Sequence, residues 1–173
     1  MYDPALWRDY FVMVGGGSAA LTGLVFVAMT LHLTDIVNHP VHRHRARTIL
    51  TGLTAVFLRC GLVLMGGQTQ KAVAVELFAV LLVVDLILYR SIREAIQAAD
   101  QGVILRTLGS FACLLTEQAG AVILFVGPVW GLYVVGVGMM ASFVFMVTGA
   151  WLLLVGVGSA SRAEIAGGSP RSA

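Results

Sequence analysis

At 173 residues, with 58% hydrophobic and only 12% charged residues and a mean hydropathy of +0.91, the chain is too apolar for a soluble domain of its length. Its formal net charge of +2 is too small to argue for a nucleic-acid partner. The expected fold class is all-α: a polytopic transmembrane helical bundle with one domain over residues 1–158, and 20 Gly against four Pro fit helices that pack closely through small residues.

A span needs about 20 apolar residues. The first runs over 10–33 without a formal charge; Asp3 and Asp9 beside Arg8, and the length of the run, argue against a cleaved signal peptide. The second, 46–65, contains Arg59, and Gly66-Gly67-Gln68-Thr69-Gln70-Lys71 follows as a tight polar turn. The third, 72–89, contains Glu76 and Asp85. Its two carboxylates leave open a re-entrant element and a four-span chain, but Leu77 to Leu88 is otherwise strongly apolar. A polar stretch from Arg90 to Gln101 reads as a surface helix or loop. The fourth span, 103–126, carries Glu117-Gln118 and stops at Gly127-Pro128; the fifth covers 129–158. The Gly/Ser/Ala-rich tail 159–173 reads as disordered.

Five spans put the N-terminus, the 66–71 turn and Gly127-Pro128 on one side with only Arg8 and Lys71. Arg43, Arg45, Arg47, Arg90, Arg93, Arg106, Arg162 and Arg171 fall on the other. By the positive-inside rule that basic side is expected in the cytoplasm, with the N-terminus outside. Trp7, Tyr10, Trp130 and Tyr133 mark one interface, Tyr89 and Trp151 the other; Tyr133 to Trp151 is about 27 Å at the helical rise, close to one hydrocarbon core.

An unpaired charge inside the bilayer costs several kcal/mol, so such residues pair or line water. Counted from the basic side at the helical rise, Arg59 lies roughly 18 Å deep, Glu117 roughly 16 Å and Glu76 roughly 20 Å. One level therefore holds an intramembrane charge cluster. Its readings are a structural Arg59–Glu117 pair that sets helix register, or a polar path for an ion, proton or substrate. Asp85 and His32 form a second candidate level nearer the basic side.

In the first span Gly15, Ala19 and Gly23 recur at four-residue spacing, with Ser18 and Thr22 on an adjoining strip. Small residues at this spacing allow close helix approach, and hydroxyls bond across it. Gly138 and Ser142 repeat the pattern more weakly. The segment 39–47, with His42, Arg43, His44, Arg45 and Arg47, reads as a loop whose basic cluster binds anionic lipid headgroups. A pH-sensitive contact is the alternative; metal binding is disfavoured because no regular frame holds the histidines and the arginines repel a cation. Cys60 and Cys113 read as buried free thiols. No GxSxG, HExxH, Walker loop or CxxC occurs, and Ser18, Thr22 and Thr116 have no base placed by sequence. No enzymatic activity, cofactor or metal is expected.

Trp7-Arg8-Asp9-Tyr10-Phe11, then Gly17-Ser18-Ala19-Ala20-Leu21-Thr22-Gly23-Leu24-Val25-Phe26-Val27-Ala28-Met29, then His42-Arg43-His44-Arg45-Ala46 resemble a family of small bacterial multi-pass proteins. Some of these carry the name modulator of FtsH protease. The late run Gly149-Ala150-Trp151-Leu152-Leu153-Leu154-Val155-Gly156 is similar to the same family. The resemblance implies a bacterial inner-membrane protein and no catalytic residues. The stretch from Ser18 to Met29, with Asp35 beyond it, also looks like the pore helix of Orai calcium channels. There the selectivity glutamate would fall on Leu31 and the inner basic position on Gly16, which argues against calcium selectivity. The function expected is a non-enzymatic regulatory or accessory subunit acting through helix–helix contacts. The alternative is an oligomeric channel or small transporter with a path near Arg59 and Glu117. Expected partners are the bilayer, its anionic headgroups, and a second copy or another membrane protein.

Overall fold

The computed structural model describes residues 4–31, 33–38, 40–96 and 101–167. The described residues are helical apart from short turns, with no strand. A 3₁₀ turn over Pro4–Trp7 leads into α1 (Arg8–Leu31), followed by the short α2 (Leu33–Asn38), α3 (Pro40–Leu64), α4 (Gln70–Ile96), α5 (Gln101–Val126) and α6 (Gly131–Gly167). Among the described residues five stretches are long and apolar enough to cross a membrane: Arg8–Leu31, Arg45–Leu64, Gln70–Arg90, Gly109–Val126 and Gly131–Leu153. The charged third span is thus one continuous helix of spanning length.

Two expectations change. The basic segment expected as a loop is the start of α3, which begins at Pro40, a residue whose fixed φ suits the first helical position. Likewise α6 continues to Gly167, into the segment whose composition suggested disorder. Ala160, Arg162, Ala163, Glu164 and Ala166 are good helix formers, and extending an existing helix avoids the nucleation cost.

α3, α4, α5 and α6 close a four-helix ring in chain order, α6 returning to α3; α1 lies outside it, packed along α3 and touching α6. Sequence punctuation accounts for the turns. Gly67 takes φ +78° after α3, and the Thr69 hydroxyl accepts the Ala72 N–H (3.3 Å) as a cap for α4. Gly127 takes φ +140° and Pro128 follows, ending α5. The Gln70 amide donates to the carbonyls of Leu124 (2.7 Å) and Gly127 (2.8 Å), lacing the α3–α4 turn to the end of α5. Nearby Trp7 meets Tyr133 edge-on with ring centroids 4.5 Å apart, and the Tyr10 hydroxyl donates to the Gly136 carbonyl (2.5 Å). The N-terminal turn and both tight turns therefore share one end, as the chain order predicts.

In that half the ring is filled. Val56, Cys60, Val63, Val73, Leu77, Leu124, Leu132 and Met139, together with Phe11 and Val14 of α1, form one buried apolar cluster. A second cluster lies toward the other end, among α1, α2, α3 and α6, around Val25, Met29, Ile36, Ile49, Leu53 and Leu153. Outward faces are apolar too: Leu24, Phe26, Val83, Leu86, Val137, Val144 and Trp151 are all exposed. That much contiguous exposed apolar surface suits lipid rather than water.

Candidate functional site: a buried ion pair at the end of an intramembrane cavity

Arg59 on α3 and Glu117 on α5 face each other across the ring, where only long side chains meet. Both are buried, at 1% and 0% exposure. Arg59 Nη1 donates to Glu117 Oε2, and Arg59 Nε donates to the Ala55 carbonyl one turn back (3.0 Å). The other carboxylate oxygen, Oε1, accepts the Ser142 hydroxyl of α6 at 2.7 Å. Three helices are thereby tied at one level, with both carboxylate oxygens satisfied, which is what burial of such a charge demands.

The rest of the expected cluster is distributed differently. Glu76 does not join the pair: its Oε2 accepts Gln68 Nε2 at 2.7 Å, beside the α3–α4 turn. Depth alone placed it level with Arg59, but depth carries no information about which way a helix face points. Asp85 accepts a hydrogen bond from Gln118 Nε2, joining α4 to α5. His32, and with it the proposed Asp85–His32 level, lies outside the described residues.

Close approach works as expected only in part. Gly15 of α1 sits against α3, where a Cβ would come within 2.9 Å of the Cys60 Cβ, and the Ser18 hydroxyl donates to the Leu53 carbonyl across the same interface (2.6 Å). The Thr22 hydroxyl turns back to the Ser18 carbonyl of its own helix (2.8 Å). Ala19 and Gly23 are exposed, and among the described residues no atom of another helix lies within 4 Å of a Cβ built on Gly23. The tightest approach of one helix backbone to another is one that sequence reading passed over. A Cβ on Gly120 of α5 would fall 2.6 Å from the Val135 amide nitrogen, and one on Gly131 of α6 would fall 2.6 Å from that of Leu124. Their signal was present in Gly131, Gly138 and Ser142, which recur on α6 at seven and four residues.

On the Arg47 side of the pair the ring is hollow. A cavity of about 590 Å³, open mouth included, is lined from all four ring helices and runs from Arg47 to Arg59. Thr51, Ser110, Cys113 and Ser142 give it a sparse polar lining; Val84, Leu88, Leu114, Phe145 and Met146 supply apolar wall. Arg47, which lines its mouth, is exposed; earlier on α3 Arg43 is exposed and Arg45 half-buried, while the side chains of His42 and His44 lie outside the described residues. Among the described residues no three His, Cys, Asp or Glu gather as metal ligands. Cys60 and Cys113 are free thiols, Cys60 buried and Cys113 half-buried on the cavity wall.

No protein-family model, curated protein or solved structure matches this chain.

Proposed function

We propose that this chain is a non-enzymatic membrane protein that acts through helix–helix contacts, as a regulatory or accessory subunit. The observation that carries this reading is that the charges deep in the bundle are bonded within it: Arg59 to Glu117, Glu117 also to Ser142, and Asp85 to Gln118. Beyond Arg59 the ring is filled by apolar side chains, so its polar lining ends there. Three hydroxyls considered as nucleophiles are committed elsewhere: Ser18, Thr22 and Thr116 each donate to a backbone carbonyl. On α1, Ala19 and Gly23 stand uncovered, the kind of small-residue surface on which membrane helices meet. We place the chain in a bacterial inner membrane with the Arg43–Arg47 face in the cytoplasm, from the arginine distribution and from the resemblance to small bacterial multi-pass proteins.

One observation favours a second reading, a channel or small transporter: the cavity reaches the ion pair from one face. Flux measurements separate the two. Purified protein in sealed liposomes, wild type beside Glu117→Gln, is expected to pass no more Na⁺, K⁺, Cl⁻ or H⁺ than empty liposomes. Flux above that background which changes in Glu117→Gln would overturn the accessory reading and put Glu117 on a conduction path.

A further inference from the structure

Hydrocarbon walls and fixed positive charge at the mouth give the hollow half of the ring a definite chemistry. Its interior end is already neutral, because Arg59 is bonded to Glu117. A small hydrated anion entering that far would shed its water and meet mostly Val84, Leu88, Leu114, Phe145 and Met146. At the mouth the balance is reversed. Arg47 lines the opening and is exposed, and Arg43 is exposed one turn earlier. α3 has no acidic residue in its first turn, so Arg43 stands near the positive end of a helix dipole without a carboxylate of that turn to offset it. The depth from Arg47 to Arg59 is about 18 Å at the helical rise, near the roughly 15 Å of hydrocarbon in one leaflet. Met146, an unbranched side chain on the wall, allows the void to adapt to what fills it.

We propose that this cavity holds an acyl chain of one anionic phospholipid, its headgroup against Arg47 and Arg43 and its hydrocarbon between α4, α5 and α6 as far as the Arg59–Glu117 pair. The site stands independently of whether the protein is an accessory subunit.

Cys113 on the wall and Cys60 in the opposite, filled half supply a built-in assay. Delipidated protein in detergent is treated with N-ethylmaleimide alone, with phosphatidylglycerol, with phosphatidylcholine of the same chains, or with inorganic phosphate; mass spectrometry then locates the adduct. Native mass spectrometry counts retained lipid in parallel. The expected result is one retained phosphatidylglycerol per chain and slowed alkylation of Cys113, with phosphatidylcholine weaker and phosphate without effect. Arg47→Gln should weaken phosphatidylglycerol binding about fivefold, the worth of one basic residue at an anionic surface. Val84→Phe, which fills the void from α4, should abolish both retention and protection while helix content is kept. Cys113 alkylation unchanged at saturating phosphatidylglycerol, or protected by phosphate alone, would overturn the proposal. The wild-type measurement decides it even if Val84→Phe does not fold.

Discussion

Gly138 lies directly against Glu117: a Cβ placed on this glycine would fall on the glutamate Cγ, so the bare backbone of α6 is what admits the carboxylate to the centre of the ring. Alanine at position 138 gains up to about 1 kcal/mol in helix propensity but forces Glu117 away from Arg59. The expected balance is a loss of about 1–3 kcal/mol, the usual cost of overpacking. Equilibrium unfolding of Gly138→Ala in mixed detergent micelles measures it, and undiminished stability would show that the contact does not matter.

Removing one member of the buried pair strands the other. Arg59→Leu or Glu117→Leu alone should cost about 3–5 kcal/mol, whereas the double replacement should recover much of that loss. The same unfolding measurement, arranged as a double-mutant cycle, gives the coupling directly. Additive losses would mean that the two side chains do not depend on each other.

Glycines in this chain should respond to alanine with opposite signs. At Gly23, where a Cβ meets nothing within 4 Å, alanine should stabilise by up to about 1 kcal/mol. At Gly120, where the Cβ would press on the backbone of α6 at Val135, it should destabilise by about 1–3 kcal/mol or more. Equal effects at the two sites would contradict the α5–α6 packing described above.

Ser18 and Thr22, one turn apart, should also differ. Ser18→Ala removes the hydrogen bond from that hydroxyl to the Leu53 carbonyl of α3, worth about 0.6 and at most about 1.7 kcal/mol for an interhelical bond in a membrane protein. Thr22→Ala removes a bond within α1 and should leave α1–α3 docking unchanged. Crosslinking yield between cysteines introduced on α1 and α3, compared across the two variants, reads the difference.

Span positions were legible from the sequence because apolar run length is a one-dimensional property, and so was the Arg59–Glu117 level, which counting along two helices supplies. What failed needed an angle. Gly15, Ala19 and Gly23 repeat every four residues, but an α-helix turns every 3.6, so the strip winds away from the buried face. That face follows Phe11, Val14, Ser18, Val25 and Met29 instead, which keeps Gly15 and loses Gly23 to the outside. Glu76 was assigned to the pair by depth along α4 alone, which does not say which way its side chain points, and it bonds Gln68 instead. The basic segment at 39–47 was read as a loop because its charge hid a helix start whose signal was Pro40.

The ion pair also bears on how the chain is made. Arg59 and Glu117 are 58 residues apart in sequence, and α4 is synthesised between them. An arginine at mid-span costs roughly 2.5–3.5 kcal/mol even on insertion-based scales. Until α5 emerges, α3 lacks the carboxylate that neutralises it, so the arginine opposes its release into lipid. Membrane integration of the ring is therefore coupled in time: α3 becomes a comfortable membrane segment only when α5 arrives. A nascent chain truncated before Glu117 should expose α3 to the insertion machinery for longer than one truncated after it.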